Sequence, residues 1–259
     1  MVLTAGCVNT GSAAILQAPN TDSLSYSIRE YHRTSADCKA KDSGCVAVIL
    51  EYPEFTHHGV VDDSLNHYVK SFVLKAVRKK KHYLHPDSIF SELSRQYQDL
   101  LNNFSDYNIP WRLNRNASIF YKRGQVISIR MKEFSFTGGA HPNSVTRLKS
   151  FDVKQKSTLT LANIIQSGKI SILTHKAERK FRTLKNLSSS EDLKDAGYWF
   201  DNDTFSLNQN FALTKNGLEF YYNNYEIAPY VEGVTKLVIP YSELKGILNV
   251  KYLPNNFRE

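Results

Sequence analysis

Hydrophobic and polar positions change period several times along the chain, and the changes mark the elements. Leu24, Tyr26 and Ile28 alternate with Ser25 and Ser27, which predicts a strand running towards Tyr31. Val46-Ala47-Val48-Ile49-Leu50 is an unbroken apolar run and reads as a central strand. The period then lengthens. Leu65, Tyr68, Val69, Phe72, Val73 and Ala76 recur at helical spacing behind Asp62 and Asp63, which are candidate caps. Pro86 opens a second helix whose face carries Ile89, Phe90, Leu93, Tyr97, Leu100, Leu101 and Phe104. From Trp111 the period returns to two, with strands at 117–121 and 125–136 around the turn Lys122-Arg123-Gly124. Ile127, Ile129 and Met131 share one face and Phe134 and Phe136 the other, a slip that predicts a bulge near Lys132-Glu133. Further strands are expected at 144–153, 158–161, 210–213, 218–222, 225–227 and 236–239. A third helix is expected over 170–184 and a short closing one over 241–248.

Alternating strands interrupted by amphipathic helices give an α+β fold, with antiparallel β-sheets packed by helices in two associated modules. The expected divisions are a tether at 1–21, a first module at 22–145 and a second at 146–259. No apolar run approaches the roughly 20 residues of a membrane-spanning helix.

Charge adds one question. The net charge is +8 and the pI about 9.2, a balance that favours an acidic partner such as nucleic acid, anionic headgroups or wall polymer, or that simply keeps the protein soluble. The lysines are scattered apart from the run Arg78-Lys79-Lys80-Lys81, and interleaved basic and aromatic motifs are missing, which argues against nucleic acid. The outer face of the third helix, with Lys176, Arg179, Lys180, Arg182 and Lys185, is the best basic surface; Arg179 and Arg182 are its candidate binding residues. The opposite sign is concentrated at 188–204, where Asp201 and Asp203 are candidates to meet a basic protein.

The three cysteines divide into one and two. Leu3-Thr4-Ala5-Gly6-Cys7 has the form of a bacterial lipobox, although the charged and apolar parts of a signal peptide do not precede Leu3. Lipid on Cys7 would be the membrane attachment, with the small polar residues 8–21 as spacer. The expected address is extracytoplasmic and, in a Gram-negative cell, the outer membrane facing the periplasm. Cys38 and Cys45 enclose a polar loop and are expected to form a disulfide in an oxidising compartment; the spacing does not suit zinc.

The chain's most distinctive stretch is Phe134-Ser135-Phe136-Thr137-Gly138-Gly139-Ala140-His141-Pro142-Asn143. Its two glycines permit positive φ or close backbone approach, and Pro142 extends His141. His141 is either a turn residue or part of a site, and it would be the general base were the protein a hydrolase or transferase. Ser135, Thr137 and Ser144 lie nearby, but none sits in a Gly-x-Ser-x-Gly elbow. His-Glu-x-x-His, Walker and dinucleotide motifs are missing too, so no catalytic residue, metal or cofactor is assigned. In Pro229-Tyr230-Val231-Glu232-Gly233, Tyr230 and Glu232 make either a plain turn or an aromatic platform beside an acid.

Thr137 to Asn143, Leu218-Glu219-Phe220-Tyr221-Tyr222, Tyr225 to Gly233 and Val238-Ile239-Pro240-Tyr241-Ser242-Glu243-Leu244 resemble the extracytoplasmic domain of RsiV-type anti-sigma factors. Tyr52-Pro53-Glu54-Phe55 and the helix from Leu65 are similar to the N-terminal-type module of PdaC-type peptidoglycan deacetylases. The resemblance covers roughly residues 24–250. It implies helix-backed antiparallel sheets and a role in envelope sensing or wall attachment, with lysozyme as partner in the anti-sigma members. A sigma-binding segment with a membrane span and a polysaccharide-deacetylase domain are not in this sequence, so neither activity carries over. The expectation is a non-enzymatic envelope lipoprotein that binds wall polymer or lysozyme, in an oligomeric state the sequence does not set.

Overall fold

The computed structural model describes residues 24–35, 38, 44–57, 60–77 and 81–258. Cys7, the tether and Arg78-Lys79-Lys80 lie outside these residues. Sheets with mainly antiparallel pairing and a few helices make an α+β fold. The described residues form two compact units, those from 24 to 118 with 131–144 and those of 119–130 with 145–258. The division does not fall at one chain position, because the tip of the central hairpin clusters with the later residues.

In the first unit β1 (Leu24–Thr34) pairs antiparallel with β2 (Val46–His57), and the short β3 (Val60–Val61) folds back on β2. The start of β4 (Trp111–Arg123) lies parallel to β2, with Val48 opposite Leu113. A parallel pair needs a long crossover. Here it is supplied by α1 (Asp63–Val73) and α2 (Pro86–Asn103), which pack on β2. Leu65, Val69 and Val73 of α1 and Ile89 and Leu93 of α2 are buried with Val48, Leu50, Phe55 and Leu113. The Asp62 carboxylate accepts the Leu65 N–H at 3.0 Å, the expected N-cap. Asn66, buried on α1, bonds both the N–H and the carbonyl of Phe55 at 2.8 and 2.9 Å. That locks the helix to the strand.

The helix stops at Val73, short of the Ala76 that its spacing allowed. Arg115 shows why. Its side chain is fully buried, its Nη1 donates to the carbonyls of Val73 and Lys75, and its Nε donates to Glu133 at 2.7 Å. Burial pulls the guanidinium pKa down and the Glu133 carboxylate works against that. The arginine thus takes the helix's terminal carbonyl, and beyond the helix Lys75 forms an antiparallel bridge with His82. Cys38 and Cys45 form the expected disulfide at the mouth of β2.

The second unit holds the rest of β4, the start of β5 (Val126–Phe136), β6 (Asn143–Asp152) from Val145 on and β7 (Ser157–Thr158). A separate antiparallel sheet has the order β10 (Thr235–Pro240), β9 (Gly217–Tyr222), β8 (Phe211–Leu213). On it packs α4 (Ile170–Leu184), whose Leu173, Ala177 and Phe181 are buried. Phe181 meets Tyr198 and Phe200 edge-on at 4.9 and 5.4 Å, within the aromatic core that also holds Phe205, Phe211, Phe220 and Tyr222. Hydroxyls fill a polar seam. Ser128 bonds Ser150 at 2.7 Å and donates to the Leu213 carbonyl, while Ser150 accepts the Leu213 N–H.

Three expected elements differ. Residues 158–161 do not continue as a strand. Thr160 and Asn163 form a capping box, so the chain enters the short helix α3 (Leu161–Ile164). The closing helix α5 is confined to Tyr241–Leu244. Residues 225–227, expected as a strand, are a turn.

Candidate functional site

The turn that replaces the expected strand has a left-handed backbone at a bulky residue. Tyr225 has φ +63, a left-handed conformation that is rare for a bulky side chain. Its neighbours hold it there. One Glu226 oxygen accepts the Asn223 N–H at 2.8 Å and the other accepts from the Asn208 amide at 2.6 Å. The Asn223 side chain in turn bonds the N–H and carbonyl of Thr146 at 2.7 and 3.1 Å. Asn210 accepts the Leu148 N–H and donates to the carbonyls of Thr146 and Tyr221. Asparagine side chains thus take the place of a strand along β6 and clamp the turn from both ends.

The clamped turn presents rings to solvent. Tyr225 is 54% exposed and lies 5.5 Å from the ring of Tyr230, itself 39% exposed. Tyr230 opens a single 3-10 turn, Tyr230–Glu232, closed by Gly233 at φ +67. Trp199, 52% exposed, is tied to the same region by its N–H to the Ile227 carbonyl at 2.8 Å. At the rim the Glu232 carboxylate accepts from Lys185 Nζ at 3.4 Å and from the Tyr198 hydroxyl at 3.3 Å. Burial, with the Glu232 charge beside it, pushes the Tyr198 phenol up to about 12. Flat exposed rings next to a paired acid and base can stack on the C–H face of a sugar and bond its hydroxyls.

The sequence-predicted residues fall in four places. Tyr230 and Glu232 are together on the platform. Asp201 and Asp203 are exposed on another 3-10 turn, with Asn202 and Asp203 at φ +53 and +52. Arg179 lies exposed on α4, whereas Arg182 is engaged with Glu178 at 2.9 Å and with the carbonyls of Ser188 and Glu191, tying the acidic segment to the helix. His141 is exposed in the first unit, its Nδ1 3.2 Å from the Pro142 carbonyl. Tyr225, Trp199 and the asparagine clamp were not anticipated. The clamp's residues are distant in sequence and polar, and only the two Asn-Asn and Asn-x-Asn clusters hinted at it.

Two family models match separate stretches of the chain. Residues 39–144 match the Deacetylase PdaC model, and residues 162–242 match a family described as a protein of unknown function, DUF3298. The chain carries both modules in tandem. The peptidoglycan-N-acetylmuramic acid deacetylase PdaC of Bacillus subtilis is 25% identical over 146 residues, 54% of this chain and 30% of that protein. The chain thus spans less than a third of that relative's length. A DUF3298 family structure from Bacteroides fragilis superposes with a TM-score of 0.68 at 21% identity, covering 89% of this chain and 95% of its own. One from Pseudomonas aeruginosa gives 0.65 at 19%, covering 88% and 96%. These two likenesses establish the fold.

Proposed function

We propose that the protein is a non-enzymatic component of the bacterial cell envelope that binds wall glycan through the Tyr225–Tyr230 platform. The observation that carries this reading is Tyr225 itself. A tyrosine held at φ +63 by three asparagines and a glutamate, with its ring facing solvent, is strain retained at a surface, and such strain gathers at binding sites. Similarity to a peptidoglycan-modifying protein supports the choice of polymer. In this reading Cys7 carries lipid, residues 8–21 are the tether, and the protein faces the wall from a membrane, the outer one in a Gram-negative cell. The basic α4 face around Arg179 adds attraction to acidic polymer, which weakens as salt rises.

Cosedimentation with purified peptidoglycan sacculi tests the reading. The native chain pellets with sacculi and the Tyr225→Ala/Tyr230→Ala variant stays in the supernatant. Equal pelleting of the two sets the platform aside.

A second reading has one observation in its favour. Asp201 and Asp203 are displayed on a turn of defined, left-handed geometry, which suits a basic protein partner such as the lysozyme bound by RsiV-type domains. In that case lysozyme binding is lost in Asp201→Asn/Asp203→Asn and is indifferent to changes at Arg179.

A further inference from the structure

We infer that the groove under the 137–138 corner of the first unit is a separate saccharide site that takes one uncharged pyranose ring. The inference deepens the wall-glycan reading and rests on it for the identity of the sugar. The groove encloses about 380 Å³, at the small end of the roughly 300–1,000 Å³ typical of ligand pockets. It accommodates a ring, not a polymer segment.

One wall is aromatic and rigid. Trp111 Nε1–H donates to the Tyr107 hydroxyl oxygen at 2.9 Å, and Tyr97 meets both rings edge-on, at 5.4 Å from Trp111 and 5.8 Å from Tyr107. Gly138, at φ +84, closes over this wall. A Cβ there would lie 1.8 Å from the Tyr107 hydroxyl, so the close approach requires glycine. The motif that stood out in the sequence therefore shapes a groove, and Thr137 beside it places a hydroxyl on the lining.

The other wall is the polar face of α2, where Gln96, Asp99 and Asn103 are neighbours at i, i+3 and i+7. The Gln96 amide nitrogen donates to Glu92 at 3.1 Å, which fixes its carbonyl oxygen; that oxygen is buried and has no donor among the described residues. A buried acceptor left unmet is costly, and because Gln96 lines the groove a small swing of its side chain would bring that oxygen to a ligand hydroxyl. Asp99 is held by Arg95 at 3.0 Å and offers further lone pairs. Acceptors along α2 and the half-buried Tyr107 ring on the aromatic wall match a ring with hydroxyl donors on its edge and C–H bonds on its face. A carboxylated ring would meet the Asp99 carboxylate, so of the two wall sugars the groove selects N-acetylglucosamine over N-acetylmuramic acid.

The chain's two tryptophans make the sites separately readable. In Trp199→Phe, Trp111 is the remaining indole, and titration with chitotriose, an uncharged oligomer of N-acetylglucosamine, is followed by its fluorescence. The expected result is a saturable change in emission. Gln96→Leu and Thr137→Val, each added to that background and checked for an unchanged melting profile, weaken the apparent affinity about five- to tenfold. N-acetylmuramic acid competes more weakly than N-acetylglucosamine. Emission that stays constant up to roughly 10 mM, an order above the weak-binding scale of 1 mM, overturns the inference. So does binding that ignores both substitutions. A silent Trp111 together with native sedimentation on sacculi removes the groove and leaves the platform standing. A responsive Trp111 with sedimentation that survives the loss of Tyr225 and Tyr230 does the reverse.

Discussion

The two units treat their aromatic residues in opposite ways. In the first, Tyr97 and Trp111 are buried and Tyr107 is half-buried, with Trp111 bonded to Tyr107 and Tyr97 edge-on to both rings beside a small groove. In the second, Trp199, Tyr225 and Tyr230 face solvent. Each arrangement depends on a residue with positive φ, but of different kinds. Gly138 occupies φ +84 without steric penalty and is there to let backbone approach a ring. Tyr225 occupies φ +63 at a cost of about 1–2 kcal/mol, offset by the asparagine clamp. A glycine at such a position speaks of packing. A tyrosine there speaks of something presented, since replacing it by glycine would make the turn easier to form.

The largest expected effect comes from removing the glycine. Gly138→Val puts a β-branched side chain at positive φ and into the Tyr107 hydroxyl, and should destabilise the first unit by about 3 kcal/mol or more. Denaturant titration followed by Trp111 fluorescence in the Trp199→Phe background reads it. A variant as stable as the parent would mean the corner is not packed as described.

Next is the disulfide. Cys38→Ser/Cys45→Ser opens a small loop whose Gly44 sits against the Tyr97 hydroxyl and whose Cys45 carbonyl accepts the Trp111 N–H at 2.6 Å. The expected loss is about 2 kcal/mol in the first unit, and chemical denaturation of the oxidised and mutated chains compares them. Mass spectrometry finding two alkylatable thiols at these positions in the unreduced protein would remove its basis.

The platform has its own pH signature. Tyr198 is raised to about 12 in the folded chain, against about 10 for an unperturbed phenol. Its neutral form is therefore favoured by folding, and this contribution is complete below pH 10 and lost as pH rises towards 12. Burial also raises Tyr31, Tyr52, Tyr222 and Tyr241, so tyrosinate absorbance should show several delayed phenols, and Glu232→Gln should bring one of them down. An unchanged titration would separate Tyr198 from Glu232.

The smallest effect is expected at His141. Its ring is exposed, so His141→Ala should change stability by no more than about 0.5 kcal/mol and leave sacculus binding intact. Loss of a measurable turnover on wall polymer, with the fold unchanged, would instead give the 138–143 corner a catalytic part.

What could be read from the sequence follows from how local each cause is. The stripes Leu65–Val69–Val73 and Leu173–Ala177–Phe181 repeat with the period of a helix and bury as expected. The Cys38–Cys45 loop is short, so pairing is a local event. Thr158 to Leu161 looked like a strand because threonine favours sheets, yet Thr160 and Asn163 satisfy each other's backbone in a cap, a reciprocal bond that β-propensity does not express. Tyr225-Glu226-Ile227 misled in the same way: the aromatic and β-branched residues favour a strand, but Glu226 captures Asn223 and turns the chain. Arg115 is a polar position in a strand pattern whose partners are carbonyls some forty residues away. The clamp on β6 is likewise non-local, since Asn210 and Asn223 reach Thr146 across more than sixty residues. The 137–143 motif could be picked out by eye, whereas the groove it closes required the placement of Tyr107 and Gln96.

The contrast between a packed glycine and a presented tyrosine comes down to Tyr225→Gly, measured twice on one preparation. Relief of the left-handed strain should stabilise the second unit by up to about 1 kcal/mol, less the cost of glycine's extra freedom when unfolded, and raise its melting temperature. Removal of the ring should at the same time abolish or strongly reduce cosedimentation with peptidoglycan sacculi. A variant that melts no earlier and no longer binds is the predicted result; a variant that binds sacculi as the native chain does would contradict the platform.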